Sequence, residues 1–324
     1  MSAATAGGST VRLFDVHRMS THDGPGLRTT LFLKGCALHC PWCHNPESIS
    51  THPEPWWFAQ KCIRCGACES SCPTGAIALT EEGVIIDRGR CDRSGNCAAV
   101  CPSGALQMTG YDQEIEEVVR LASRDKLLFA NSGGGVTISG GEPLLQAHRV
   151  TEIAGALREQ GVHVAVDTCG AVNPDVLATV LPVVDLVLLD LKLLDRENAT
   201  GMLGSAATRV PAFATALARS VREAGRPEVW IRTPVIPGAT DAPENIRAIG
   251  RFIAAELAGV VSRWELCAFN PLGAEKYRRL GIRWRYEEAD LIPADALEEL
   301  RAVGAEAVGS TVEVVATGLT GSEA

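Results

Sequence analysis

Three cysteines, Cys36, Cys40 and Cys43, fall within eight residues of a 324-residue chain, just after the apolar run Leu31-Phe32-Leu33. Three thiolates so spaced suit three corners of a four-iron cluster. The fourth iron then has no ligand from the loop, and an iron with an open position can bind a substrate. Clusters with a full thiolate set carry electrons; an open corner points to chemistry. The same cysteines also suit a structural zinc ion completed by His39 or His44. Spacing alone leaves both readings standing.

A second group is more specific. Cys62, Cys65, Cys68 and Cys72-Pro73 have the spacing of the bacterial ferredoxin run. A second run follows with Cys91, Cys97 and Cys101-Pro102, and the two close alike, at Pro73-Thr74-Gly75-Ala76 and Pro102-Ser103-Gly104-Ala105. In two-cluster ferredoxins the fourth cysteine of each run serves the other cluster. Cys62, Cys65, Cys68 and Cys101 then make one complete set. Cys91, Cys97 and Cys72 make an incomplete one, because Ser94 stands where a cysteine belongs. The Ser94 oxygen, a water or a three-iron cluster would each answer that gap. So would a labile or missing second cluster.

Ten of the twelve cysteines lie in these clusters before residue 102; only Cys169 and Cys267 lie outside. Cys169 reads as a packed or mouth-lining thiol and Cys267, on a strand, as core. Residues 1–8 show no charged-then-apolar leader and read as a loose tail. Clustered cysteines without a secretory signal indicate metal binding in a reducing, cytoplasmic setting. The net charge of −9 and the lack of a Lys/Arg block argue against nucleic acid or an anionic membrane as partner. No apolar run approaches the ~20 residues of a membrane span.

These residues need a frame. Residues 11–16 form a short apolar lead-in, and residues 29–33, rich in β-branched and aromatic residues, a strand that ends at the first cysteine loop. From residue 111 strand and helix patterns alternate. Strands are expected at 135–139, 163–166, 186–189, 229–232 and 263–269. Helices are marked by Ile115, Val118, Val119 and Ala122, by Val150, Ile153, Ala154 and Leu157, and over 211–224, with Pro211 at the start and Gly225 past the end. Asp241-Ala242-Pro243-Glu244 reads as a capping box before Ile246, Ile249 and Ile253. Six β/α units can be counted, fewer than the eight of a closed barrel. Trp56-Trp57 leads into the second cysteine group and is expected to pack it on the barrel.

The first loop, with Trp42 before its last cysteine, resembles the signature of radical S-adenosylmethionine (SAM) enzymes. The lead-in Ser20-Thr21-His22-Asp23-Gly24-Pro25-Gly26-Leu27-Arg28-Thr29 and the lead-out Cys43-His44-Asn45-Pro46-Glu47-Ser48 narrow this further. They resemble the activating enzymes of glycyl radical enzymes, in the subgroup with a two-cluster ferredoxin-like insert. The match runs along nearly the whole chain. It implies an α/β fold: an open (β/α)6 partial TIM barrel with an inserted ferredoxin-like domain. Residues 1–50 would carry the tail, first strand and cysteine loop, 51–110 the insert, 111–310 the rest of the barrel, and 311–324 a C-terminal strand and tail.

The resemblance also assigns roles. Cys36, Cys40 and Cys43 would hold a [4Fe-4S] cluster whose open iron binds SAM. Trp42 and the Gly140-Gly141-Glu142 element would contact the cofactor, the latter at its ammonium group. Lys192, in Asp190-Leu191-Lys192, and Arg232 would meet its carboxylate, and Asn270 its ribose. Asp167, Thr168, Asp190 and the Leu188 carbonyl would hold a monovalent cation; the alternative is that the charges at the barrel mouth pair with one another. An electron donor such as flavodoxin or ferredoxin would reduce the cluster. The sulfonium would cleave, and the resulting 5′-deoxyadenosyl radical would take a hydrogen from a backbone glycine of a partner glycyl radical enzyme. Asp23 would contact the partner's loop. Two other readings remain: a radical SAM enzyme for a small molecule, and an iron–sulfur electron carrier with a vestigial barrel.

Overall fold

The computed structural model describes residues 9–321, so the tail expected at residues 1–8 lies outside it. The chain opens with an antiparallel pair, β1 (Thr10–Ser20) and β2 (Arg28–Leu33). Four short strands follow outside the main sheet: β3 (Glu54–Trp57), β4 (Ile77–Thr80), β5 (Gly83–Ile86) and β6 (Leu106–Thr109). Then come β7 (Tyr111–Glu114), β8 (Gly135–Gly140), β9 (Val164–Thr168), β10 (Leu186–Asp190), β11 (Glu228–Val235), β12 (Val261–Ala268) and β13 (Glu313–Thr317). Among the described residues the main sheet has nine strands, in the order β13-β12-β11-β10-β9-β8-β2-β1-β7. β2 and β8 to β13 are parallel. The two end strands do not meet, so the sheet stays open.

The parallel strands are apolar for a physical reason. Helices cover one face and side chains fill the other, so both faces leave water. The helix Val210–Ala224 shows the covering layer: Val210, Phe213, Ala214, Leu217, Ala218 and Val221 face inward at helical spacing. It begins with Pro at its first turn and ends at Gly225 in the left-handed region.

Two expectations need correction, and the strand expected within residues 311–324 finds its place as β13. The lead-in at 11–16 is an eleven-residue strand. Its far edge carries β7, with Leu13 opposite Tyr111 and Thr10 opposite Glu114. Tyr-Asp-Gln-Glu has no alternating pattern, so only pairing with β1 makes it a strand. The parallel array has seven strands, because β13 extends it past β12. Asp241 does not cap the helix Pro243–Glu256. Ala242 occupies the cap without a side-chain bond, and the Asp241 carboxylate accepts from the Gly238 backbone N–H at 3.1 Å. Pro243 has no N–H to be capped, which lowers the need.

The excursion between β2 and β7 has its own small apolar cluster: Cys68, Ile77, Val84, Cys97 and Leu106, with Trp57 against it. β3 pairs with β6 and β4 with β5. The excursion is seated on the helix Ala274–Leu280. The Arg279 guanidinium lies 5.3 Å from the Trp56 ring and 4.6 Å from that of Phe58. Arg88 donates to the Leu280 carbonyl at 2.6 Å and to that of Pro55 at 3.2 Å. Trp56 thus packs the excursion on the barrel, as expected, while Trp57 serves the excursion's own core.

Phe213 is fully buried and touches the turn at Gly170, beside the strand ends that carry the candidate site. Phe213→Ala is expected to cost about 3–5 kcal/mol. Urea unfolding should show a lower midpoint at an unchanged slope; an unchanged midpoint would contradict this packing.

Candidate active site

The C-terminal ends of the parallel strands surround a cleft of about 970 Å³. Its wall includes Cys36, Cys40, Trp42 and Cys43 from the loop after β2, Gly140 and Gly141 at the end of β8 and just past it, Asp167 from β9, Asp190 at the end of β10 and Lys192 just past it, Arg232 from β11 and Asn270 after β12. Asp23 lines it from the turn before β2. Most of the residues that the resemblance assigns to the first cluster, the cofactor, the cation and the partner loop are therefore brought to one cavity.

The cysteine loop has no regular structure, and its position is set by bonds to other segments. Gly35 N–H donates to Ser48 O at 2.7 Å and Cys36 N–H to Ile49 O at 3.1 Å. Tyr277 OH donates to the Cys43 carbonyl at 2.9 Å, and Trp284 Nε1 to that of Pro41 at 2.8 Å. Burial pushes the Cys40 thiol up to about 11 and Cys43 higher still. Thiols in such surroundings lose their protons by binding a metal. His44 Nε2 is engaged with the Asn270 carbonyl at 2.8 Å.

Glu142 is set behind the cleft wall. It is fully buried and does not line the cleft. Its carboxylate accepts from Thr168 Oγ1 at 2.8 Å, from Cys169 N–H at 2.9 Å, from Cys169 Sγ at 3.0 Å and from Leu144 N–H at 2.9 Å. Burial raises its pKa, and these donors oppose the rise. Its backbone N–H donates to Gly35 O at 2.7 Å. Glu142 therefore ties the ends of β8 and β9 to the cysteine loop. The glycines before it are explained the same way. A Cβ at Gly140 would lie 2.2 Å from Leu33 O, and one at Gly141 2.3 Å from Gly35 O.

Thr168 also points away from the cleft, its hydroxyl committed to Glu142, and the Leu188 side chain packs with Ala165 and Leu186 beneath it. Above that apolar floor stands a row of charges. Asp190, Arg232 and Glu265 are register partners on adjacent strands. Lys192 Nζ donates to Asp190 at 2.5 Å. Arg232 lies 3.7 Å from Asp167 and 3.5 Å from Glu265. Burial pushes Asp167 up to about 6 against the pull of Arg232. Burial disfavours the Lys192 charge, but Asp190 together with the Cys40 and Cys169 sulfurs more than restores it, and the pKa is raised. Asp190 and Asp167 are thus each beside a cation, Lys192 and Arg232. Arg232 Nε is buried 3.5 Å from Glu265 Oε2, an ion pair without hydrogen-bond geometry. Thiols suited to iron beside the cations Lys192 and Arg232 are a donor set that fits a cluster and an anionic ligand in the cleft.

Two smaller hollows lie in the excursion. Cys62, Cys65, Cys68 and Cys101 line one. Cys72, Cys91, Cys97 and Ser94 line the other. Among the described residues no three His, Cys, Asp or Glu side chains converge closely enough to hold a single metal ion. The thiols ring hollows instead.

The residues of the chain from 30 to 249 match the family model described as the Radical SAM superfamily. The chain belongs to that superfamily. A radical SAM methyltransferase from Sphaerobacter thermophilus shares the fold, with a TM-score of 0.52 at 15% identity over 97% of this chain and 75% of that one. The benzylsuccinate synthase activating enzyme of Thauera aromatica is 38% identical over 88% of this chain and 87% of its own. The (2S)-3-sulfopropanediol sulfolyase activating enzyme of Bilophila wadsworthia is 37% identical over 85% and 90%. The chain is thus a radical SAM enzyme that activates a glycyl radical enzyme, and it uses SAM and a [4Fe-4S] cluster.

Sequence reasoning missed several residues of this radical SAM site. Cys169 lines the cleft, in keeping with the mouth-lining reading, but its bond to Glu142 was not foreseen. Cys267, expected in the core, also lines the cleft, because β12 alternates Arg263, Glu265 and Cys267 toward it. That period-two pattern is readable in the sequence. The pins Tyr277 and Trp284 carry no local signal.

Glu142→Gln would set an NH₂ group against donors, leaving a buried group unpaired at a cost of about 1–3 kcal/mol. The melting temperature should fall, and calorimetric titration should show weaker SAM binding. Unchanged values of both would contradict the role assigned to Glu142.

Proposed function

We propose that Cys36, Cys40 and Cys43 hold the catalytic [4Fe-4S] cluster and leave one iron open for SAM. The observation that carries this reading is that three thiols and the two cations Lys192 and Arg232 line a single cleft. When bound, the cluster supplies one electron that breaks the C5′–S bond of SAM, giving methionine and a 5′-deoxyadenosyl radical that takes hydrogen from a partner's backbone glycine.

The chain's own residues position and shield. Lys192 and Arg232 present charge to the methionyl carboxylate, Arg232 through a planar guanidinium suited to two contacts. Asp190, Asp167 and Glu265 hold those cations in place. Gly140 and Gly141 offer backbone groups to the ammonium, and Glu142 fixes that backbone from behind. Trp42 and Asn270 flank the adenosine end. Asp23, oriented by the hydroxyls of Ser20 at 2.5 Å and Thr30 at 2.7 Å, meets the partner's glycine loop.

The thiols of the excursion, residues 51–110, hold iron–sulfur clusters in a ferredoxin-like unit. Cys62, Cys65, Cys68 and Cys101 make one site, and Cys72, Cys91 and Cys97, with Ser94 beside them, the other. The rings of thiols around hollows favour clusters over zinc, which gathers its ligands on one ion. A flavodoxin or ferredoxin is the electron donor, and the setting is the reducing cytoplasm.

The test is anaerobic. Reconstituted wild type with dithionite and SAM should release 5′-deoxyadenosine, and Cys36→Ala should release none above background. With a glycyl radical enzyme added, a glycyl radical signal should appear by electron paramagnetic resonance. Equal product from both proteins would place the chemistry elsewhere.

A further inference from the structure

The two hollows of the excursion differ by one residue and by their place in the fold. The two cysteine runs have matching backbones, each position of the second lying twenty-nine residues after its counterpart. Arg64 and Arg93 both have positive φ, at 57° and 59°, and Gly66 and Gly95 follow at 74° and 78°. Short helices then begin at Ala67 and Asn96. The closing turns repeat too: Gly75 N–H donates to Cys72 O and Gly104 N–H to Cys101 O, each at 3.2 Å. A non-glycine residue at positive φ is costly. Its recurrence on both sides shows that the loops are shaped by the same demand. Ser94 is exposed at the lip of its hollow as Cys65 is at the lip of the other. Its side chain thus takes the position of the missing thiol.

The register of β3 and β6 orders the hollows. Glu54 pairs with Thr109 where the ribbon leaves the barrel, Pro55 with Met108 next, and Trp57 with Leu106 farthest out. Pro55 and Met108 line the serine-bearing hollow, whereas Trp57 and Leu106 line the four-cysteine one. At about 3.3 Å per residue, two residues along the ribbon separate these contacts by roughly 7 Å. Arg88 bonds both Pro55 O and Leu280 O. Leu280 ends the helix whose Tyr277 is bonded to Cys43 O. The serine-bearing hollow therefore lies on the side of the radical SAM loop.

We propose that this hollow is a complete iron–sulfur site, with Ser94 Oγ as its fourth ligand, and that it is the inner of the two. The proposal rests on the reading that the excursion's thiols hold clusters. Oxygen is a harder ligand than thiolate, so the inner site differs chemically from the outer one. A one-electron protein donor reaches the outer site at exposed Cys65. With clusters bound, the outer site would pass one electron at a time to the inner, and the inner to the loop.

The test uses the full chain, reconstituted anaerobically with iron and sulfide, as wild type, Ser94→Ala and Ser94→Cys. Iron is counted, Mössbauer spectra are taken, and the oxidised proteins are inspected by electron paramagnetic resonance for a three-iron signal. Wild type should hold three four-iron clusters. Ser94→Ala should show one converted to a three-iron form or lost, and Ser94→Cys should restore it. A wild type that already shows a three-iron signal or only two clusters, or an Ser94→Ala spectrum identical to wild type, would overturn the ligand assignment. Ser94 is exposed, so its replacement leaves the small core intact.

Order is read separately from the power saturation of the reduced loop cluster. Loss of the inner site in Cys91→Ala should slow its relaxation more than loss of the outer site in Cys65→Ala. The reverse would overturn the order. These spectra report the excursion's own iron. Failure of SAM cleavage would leave them unchanged, and so the two readings fail separately.

Discussion

The structure depends on one buried carboxylate. Glu142 gathers a hydroxyl, a thiol and two backbone N–H groups, and its own N–H reaches the carbonyl of Gly35. It thereby joins three adjacent strand ends, those of β2, β8 and β9, at the point where the cysteine loop starts. A buried carboxylate is stable only when it is well supplied with donors. The requirement runs both ways: the donors hold the charge, and the charge holds the loops that carry them. A loop with three metal ligands and no regular structure needs such a fixed base.

The second constraint is electrostatic. Cations for an anionic ligand are built over an apolar floor of Ala165, Leu186 and Leu188. Unpaired, they would be costly there. Asp190, Asp167 and Glu265 offset that cost, and they do so from neighbouring strands because parallel register places Asp190, Arg232 and Glu265 side by side. The pairing also orients Lys192 and Arg232 before any ligand arrives, so that little reorganisation is left for binding.

The excursion is joined to the barrel through a helix that also grips the cysteine loop. Arg279 and Arg88 secure one side of Ala274–Leu280, and Tyr277 bonds the Cys43 carbonyl on the other. A shift of the excursion would therefore be felt at the loop through packed side chains rather than through a flexible tether. Arg88 and Arg279 each satisfy several partners, which suits the planar, multiply donating guanidinium better than an ammonium.

Much of this was legible in the sequence, because metal-ligand spacing and strand-end motifs are local. The three cysteines, the ferredoxin runs with their serine, Gly-Gly-Glu, Asp190-Leu191-Lys192 and Arg232 all announce themselves within a few residues. Strong β-branched runs and helical spacing likewise marked the parallel strands and covering helices. What tertiary structure decided is where polar groups spend their bonds. Glu142 is tied to Thr168 and Cys169 on the neighbouring strand's end. Cys267 turned to the cleft, β7 became a strand only by pairing, and Asp241 was drawn into a turn instead of a cap. A residue's type is written in the chain, but its partner depends on which distant segment packs against it, and no local pattern encodes that.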